Sequence, residues 1–213
     1  MTLDMLCDPV PAGRVARGLS FGGHRVDVVI ERLDDAGETA STAGRRLAEE
    51  LAAACLHLPR GGVRVAALAP SGRPVAVVGG RPVDVAVTIS HAAGVVAAAA
   101  AVSAPIGIDI VDPAEAGRGL DLWFTPDELA LAPDDDGLLR GQLWAAKEAA
   151  YKAARLDTEF RLGTVSIDAL SPRGFAWSAR SAWRGARGEG RFVRVGRLIV
   201  AVAIHQQHEE VPS

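Results

Sequence analysis

Three apolar runs follow one another in the middle of the chain, and they constrain its fold more than any other feature. The runs are Val83–Ser90, Val95–Val102 and Ile106–Val111. No charged residue lies between His91 and Asp109, and Gly94 and Pro105 separate the runs. Short apolar runs without polar alternation are typical of strands buried on both faces. We therefore predict three buried strands in one sheet. A stretch that Gly94 and Pro105 interrupt does not form a membrane-spanning helix.

The flanking sequence alternates helices with short strands, which predicts a mixed α/β (α+β) protein. Helices are expected at Ala43–Leu56, Thr125–Ala132 and Leu138–Arg155. Further strands are expected at His24–Arg32, Val63–Leu68, Val75–Val78, Thr164–Ile167, Phe175–Ala179, Phe192–Val195 and Leu198–Ile204. Residues 1–23 are rich in Gly and Pro and are expected to form a loop with at most a short strand. Each half, residues 1–104 and 105–213, is then one main helix backed by a few strands.

Composition and charge exclude several classes of protein. The net charge of −3 argues against a nucleic-acid-binding protein with a broad basic face. Cys7 and Cys55 lack the spacing of a metal site and are too few for a disulfide framework, so we expect reduced thiols. Asp4 and Asp8 stand where a signal peptide would carry basic residues. These features predict a cytoplasmic protein that binds neither nucleic acid nor membranes.

The predicted helix at Leu138–Arg155 contains both lysines of the chain. Of the 23 Lys and Arg residues, only Lys147 and Lys152 are lysine. At helical spacing, Trp144, Glu148 and Lys152 form one stripe. A solvent-exposed Glu–Lys pair is one interpretation of this stripe. However, the flanking alanines and the bulky Trp144 favour a partly buried charged face, where a compact ammonium has a specific task.

Three other segments place polar side chains at strand or helix ends. Asp109 lies within the apolar run Ile106–Val111, where a carboxylate is costly unless it is paired or bound to a metal. Gly107 on the same run permits close approach of another backbone. Ser90-His91 ends an earlier strand, where a ring nitrogen could point at an anion. Glu128, three residues after Thr125, fits a capping box and needs no functional explanation.

Together these segments resemble the 4'-phosphopantetheinyl transferase superfamily. They are residues 89–91 (ISH), 106–111 (IGIDIV), 124–128 (FTPDE) and 144–152 (WAAKEAAYK). The family signature is a Gly-x-Asp strand, then Phe-Ser/Thr-x-x-Glu, then Trp-x-x-Lys-Glu-x-x-x-Lys. With residues 71–74 (SGRP) and the chain length, the resemblance is to the larger, monomeric type that activates peptide and polyketide synthases, such as surfactin synthetase.

The resemblance implies a fold of two similar halves related by pseudo-twofold symmetry, with coenzyme A bound in the cleft between them. It implies transfer of phosphopantetheine from coenzyme A to a serine of an acyl or peptidyl carrier protein, with release of 3',5'-ADP. Asp109 and Glu148 would bind Mg²⁺ or Mn²⁺, and Lys152 would contact the pyrophosphate. Glu148 would also be the catalytic base, and Glu128 belongs to the catalytic set without an assigned role.

The same resemblance assigns residues to coenzyme A and to the carrier. Arg73, Ser90, His91, Lys147, Lys152 and Arg46 are the candidates for coenzyme A binding. Carrier domains are acidic around their serine, and the candidate contacts are Arg118, Arg140, Arg155 and Arg161.

The chain departs from the family pattern at one position. Many larger members place a third metal-binding Glu two residues after the motif Asp, and this chain has Val111 there. Strand alternation directs the adjacent Asp112 to the other face. We therefore expect two protein carboxylates, with water completing the coordination. The alternatives are a coenzyme A- or carrier-binding homologue without turnover, and another Mg²⁺-dependent phosphoester enzyme such as a hydrolase.

Overall fold

The computed structural model describes residues 13–21, 23–33, 37–115, 118–133, 137–156, 159–180 and 185–206. The helices are α1 (Ala40–Cys55), α2 (Pro126–Leu131) and α3 (Leu138–Ala154), with a 3₁₀ helix at Arg118–Trp123. The strands are β1 (Arg14–Phe21), β2 (His24–Arg32), β3 (Arg64–Leu68), β4 (Arg73–Val78), β5 (Arg81–Pro82), β6 (Val85–Ala92), β7 (Val95–Val102), β8 (Ile106–Val111), β9 (Val165–Ser171), β10 (Gly174–Arg180), β11 (Gly185–Val195) and β12 (Leu198–His205). The predictions on Asp4, Cys7 and Asp8 lie outside the described residues, and Cys55 is a free thiol.

Two antiparallel sheets carry the fold. The first has the strand order β1-β2-β7-β6, and the second has the order β8-β12-β11-β10-β9. A small third sheet contains β3, β4 and β5. Within each large sheet one helix covers the outer face, α1 on the first and α3 on the second. The triplets β2-β7-β6 and β8-β12-β11 repeat the same order around their helices, so the mixed α+β class with two similar halves is confirmed.

The central strands are apolar throughout because both of their faces are buried. On β7, Ala98 faces α1 and Ala99 faces the second sheet. On β12, Val200 faces the first sheet and Ala201 faces α3. The result is four layers, helix–sheet–sheet–helix, and the small alanine side chains allow these layers to approach closely.

The prediction of one sheet for all three central runs is wrong. β6 and β7 pair in the first sheet, whereas β8 pairs with β12 in the second. Across the remaining edge of β8, the N–H of Ile108 donates to Thr88 Oγ1 at 3.2 Å and the N–H of Ile110 donates to Ser90 Oγ at 3.3 Å. These hydroxyls replace a backbone ladder and join the two sheets.

Other boundaries differ locally from the expectation. Residues 14–21, expected to be mostly loop, form the edge strand β1, which pairs along its whole length with β2. β11 begins at Gly185 and not at Phe192. Gly188 and Gly190 carry no side chain, so apolar alternation could not reveal this part of the strand. No helix in the described parts of the chain is long and apolar enough to cross a membrane.

Gly107 sets the distance between β8 and α3. A Cβ added there would lie 1.9 Å from the carbonyl oxygen of Ala149 and 2.8 Å from Cβ of Lys152. Such a contact cannot exist without moving the helix. The close backbone approach expected at Gly107 is therefore confirmed, and it holds the strand that carries Asp109 against the helix that carries Glu148.

We expect Gly107→Ala to destabilise the protein by about 1–3 kcal/mol, because the added methyl overpacks the helix–strand contact. Urea unfolding of wild type and variant measures this change. Gly185→Ala is the matched control, since a Cβ there meets no atom within 4 Å. Equal urea midpoints for the two variants would show that the close contact between α3 and Gly107 does not limit which side chain fits there.

Candidate functional site

The carboxylate of Asp109 is held by two donors from different parts of the chain. Lys152 Nζ donates to Asp109 Oδ1 at 2.8 Å and also to the carbonyl of Ile108 at 3.0 Å. Ser90 Oγ donates to the same Oδ1 at 2.8 Å. Asp109 is 7% exposed, so this pairing compensates a carboxylate that burial would otherwise destabilise. The structure therefore brings together residues from β6, β8 and α3.

Glu148 lies one helical turn before Lys152, about 6 Å along the axis of α3. Its pKa is raised above the ordinary value, first by burial and then by the nearby charge of Asp109, while Lys152 opposes the shift. Two carboxylates thus face one ammonium, and a negative charge is left over. All three residues of the predicted stripe, Trp144, Glu148 and Lys152, are partly exposed.

This donor set fits a divalent cation with oxygen ligands. Asp109 and Glu148 offer carboxylate oxygens, and the hydrogen bonds from Ser90 and Lys152 to Asp109 both reach Oδ1. Among the described residues, no group of three or more His, Cys, Asp or Glu is placed to bind a metal. Mg²⁺ tolerates few protein ligands, because it retains several waters and binds substrate phosphates.

A hydrocarbon side chain, Val111, occupies the position two residues after Asp109, where a third metal-binding carboxylate would stand. Val111 lies on the same face of β8 as Asp109 and packs into the core beneath α3. Asp112 is buried on the other side, where Arg197 pairs with it at 2.6 Å and the N–H of Ala114 donates to it at 3.1 Å. As strand alternation predicted, Asp112 is not directed at the site.

A cleft of about 440 Å³ adjoins Lys152. It is lined from the first half of the chain by Ser41, Arg45, Arg73, Thr88 and His91, among others, and from the second half by Ile106, Tyr151, Lys152 and Arg155. Among its described lining residues none is Asp or Glu. In a protein of net charge −3, a cleft with only cationic and neutral walls indicates an anionic ligand.

Residues 105–194 match the family model of the 4'-phosphopantetheinyl transferase superfamily. This part of the chain is similar to that superfamily. The match begins at β8 and includes Asp109, Glu148 and Lys152. It supports phosphopantetheine transfer as the general activity. No curated protein matches the chain.

Two predicted site residues lie away from the cleft. Lys147 is fully buried, and its Nζ contacts both carboxylate oxygens of Glu128 at 2.6 Å. Glu128 also accepts the N–H groups of Thr125, at 2.8 Å, and of Ile167, at 3.0 Å. Both side chains are buried and neither lines the cleft, so this placement gives no support to the predictions that Lys147 binds coenzyme A and that Glu128 is catalytic.

Arg46 is not among the residues that line the cleft. It pairs with Glu31 and, at 2.9 Å, with Glu38, and these contacts raise its pKa. The structure therefore gives no support to the predicted contact of Arg46 with coenzyme A, and the neighbouring Arg45 lines the cleft instead. One residue along a helix turns the side chain by about 100°, and the sequence offered no signal that separated the two arginines.

The remaining candidates lie along the cleft or beside Asp109. Arg73 and His91 line the cleft, and Ser90 lies beside Asp109. Thr88, Tyr151 and Arg155 are lining residues that the sequence interpretation did not assign to coenzyme A. Thr88 could have been noticed, because its spacing from Ser90 places both hydroxyls on one face of β6.

Proposed function

We propose that the protein transfers 4'-phosphopantetheine from coenzyme A to a serine of an acyl or peptidyl carrier protein and releases 3',5'-ADP. One observation carries the proposal. Lys152 lines a cleft whose described lining residues include no Asp or Glu, its Nζ donates to Asp109, and Glu148 lies one helical turn before it. An anionic ligand in the cleft thereby has its reactive end beside a group that accepts protons and a group that stabilises negative charge.

Coenzyme A suits the cleft by charge and by position. Its phosphates carry several negative charges, which Arg45, Arg73, Lys152 and Arg155 complement from several sides. The cleft takes walls from both halves of the chain. We assign residues 1–104 mainly to coenzyme A binding and residues 105–213 to the catalytic helix and metal ligands.

Asp109 and Glu148 are the residues that would hold Mg²⁺. A bound Mg²⁺ supplies neutralisation of the pyrophosphate charge, which otherwise repels the incoming hydroxyl. Ser90 and Lys152 keep the Asp109 carboxylate oriented through their hydrogen bonds to Oδ1. Burial raises the pKa of Glu148, which makes it a stronger proton acceptor than an exposed glutamate.

The reaction forms one bond and breaks one. The serine oxygen of the carrier bonds to the phosphorus that bears the pantetheine, and the P–O bond to the second phosphate of the pyrophosphate breaks. Glu148 takes the hydroxyl proton, and the leaving group departs as 3',5'-ADP. Lys152, fixed by Asp109 and the carbonyl of Ile108, places an ammonium where negative charge grows on the departing phosphate.

We expect EDTA to stop transfer and added Mg²⁺ to restore it, because without a cation the carboxylates of Asp109 and Glu148 repel the pyrophosphate. Transfer of a fluorescent pantetheine from labelled coenzyme A to an apo carrier measures the rate. Mn²⁺ should also restore it. Undiminished transfer in EDTA would mean that Asp109 and Glu148 are not metal ligands.

One observation favours a second candidate, a coenzyme A- or carrier-binding homologue without turnover. Val111 removes the third carboxylate that many larger members of the superfamily have, as the resemblance implies. This candidate predicts binding of coenzyme A but no modified carrier at any Mg²⁺ concentration. The retained Lys152–Asp109 contact favours the active enzyme, because a binding protein has no need of an oriented ammonium at that point.

A further inference from the structure

β1 is the edge strand of the first sheet. One of its edges pairs with β2 along the whole strand, and no strand in the described parts of the chain pairs with the other edge. Five of its eight residues are exposed. An exposed edge strand presents a row of backbone N–H and C=O groups, which is a template for pairing with a further strand. β1 is therefore a place where an extended segment of a partner can add to the sheet.

A groove of about 520 Å³ lies between β1, β2 and the C-terminal half of α1. Its apolar lining residues are small or aliphatic and include Ala16, Gly18, Val29, Leu51, Ala54 and Leu58. Ala16 and Gly18 share one face of β1, because residues two apart in a strand point to the same side. At these two positions β1 has no bulky side chain, so the groove has space for the side chains of an added strand.

The groove has an excess of positive charge. Its charged lining residues are four arginines and two carboxylates, namely Arg14, Arg17, Arg25, Arg60, Asp27 and Glu50. The protein as a whole has a net charge of −3. A groove with excess positive charge on an acidic protein indicates a partner that carries negative charge.

The side chain of Arg25 is held against the edge strand. Its Nε donates to Asp27 Oδ1 at 2.8 Å, and its Nη2 lies 2.8 Å from the same oxygen. A Cβ added at Gly18 would lie 3.3 Å from Nη2 of Arg25, so the guanidinium lies beside the backbone of β1. In the described part of the chain no acceptor engages Nη1 of Arg25, and this end of the planar group remains for a carboxylate of a partner.

An acidic strand suits this edge better than a second copy of the chain does. A second copy would bring the same excess of arginines to the same edge, and like charges that face each other across a strand pair are destabilising. An extended peptide with alternating carboxylate side chains brings the opposite charge and pairs its backbone with β1. The groove shares no lining residue with the cleft beside Lys152, so its occupant is distinct from the ligand of the cleft.

We propose that β1 and the adjoining groove bind an acidic, extended segment of a partner protein, which adds to the first sheet as a fifth strand. Backbone hydrogen bonds to β1 supply affinity, and Arg17, Arg25 and Arg60 select acidic side chains. The proposal goes beyond the transfer of phosphopantetheine, because it concerns no residue of the cleft.

Fluorescence anisotropy of a labelled peptide of alternating Glu and Val tests the proposal on the whole chain. We expect saturable binding to wild type, and none of the matching peptide of Lys and Val. In the double variant Arg17→Glu, Arg60→Glu the acidic peptide should bind at least about tenfold more weakly, because two attractive surface contacts become repulsive. Both arginines are exposed, so the thermal midpoint should stay close to that of wild type. Arg180→Glu, at an exposed position on β10, is the control and should bind as wild type does.

Two further peptides separate strand pairing from attraction between charges alone. One is N-methylated at every Glu and the other at every Val, so that each lacks the N–H groups of one strand edge while its charge is unchanged. At least one of them should bind about tenfold more weakly than the unmethylated peptide, because pairing needs the N–H groups that face β1. Equal affinities for all three peptides, or no binding to wild type, would overturn the proposal. Sedimentation of the chain alone as a dimer that Arg17→Glu, Arg60→Glu alters would show that a second copy occupies the edge, which also overturns it.

Discussion

Replacement of Glu148 by Gln is expected to abolish transfer of phosphopantetheine while coenzyme A binds within about tenfold of wild type. Gln has nearly the same shape as Glu, so the packing of α3 is retained. It accepts no proton and carries no charge, and it therefore removes both the base and one carboxylate of the cation site. Loss of general base catalysis alone is worth roughly 10²–10⁴ in rate.

The measurement is the single-turnover rate of carrier modification, together with a calorimetric titration of coenzyme A. Glu189→Gln, a partly exposed residue of β11, is the matched control and should keep full activity. Turnover retained in Glu148→Gln would remove both roles of Glu148. If binding and transfer fell together by the same large factor, Glu148 would be a binding residue and not a catalytic one.

The buried pair Lys147–Glu128 gives the largest expected effect on stability. In Lys147→Met the carboxylate of Glu128 stays buried without its ammonium partner. Breaking such a pair typically costs about 3–5 kcal/mol. Since α2, α3 and β9 all meet at Glu128, we also expect transfer to slow although no atom of Lys147 reaches the cleft.

Urea unfolding of Lys147→Met, Glu128→Gln and the double variant tests this prediction. The double variant should recover part of the lost free energy of unfolding, because it leaves no buried charge. Arg161→Met is the control, since its pair with Glu159 is exposed and its loss should cost about 0–1 kcal/mol. Additive losses in the double variant would show that the two charges do not stabilise each other.

Local features of the fold could be predicted from sequence because nearby residues determine them. The capping box at Thr125 and Glu128 forms as the spacing indicated, and β7 and β8 have the predicted bounds. The division of the apolar runs between two sheets could not be predicted. Every run has the same apolar character, and the choice of partner strand depends on contacts with β12, far along the chain.

The site was predictable to the extent that residue type limits its chemistry. Asp109 within an apolar strand required a partner, and the structure supplies Lys152 and Ser90. The two lysines lie on one helix and look equivalent in sequence. Lys147 is buried because α2 and β9 pack on its side of α3, whereas Lys152 faces the cleft. Packing between distant segments of the chain cannot be predicted from the local hydrophobic periodicity of one helix.

The intact mass of an apo carrier domain, incubated with the protein, coenzyme A and Mg²⁺, tests the account most directly. A panel of fatty-acid, polyketide and peptide carriers should include at least one whose mass rises by one phosphopantetheine group per domain. The same carrier with its serine replaced by Ala should stay unmodified. Unchanged masses across the panel, with or without release of 3',5'-ADP, would contradict transfer to a carrier serine.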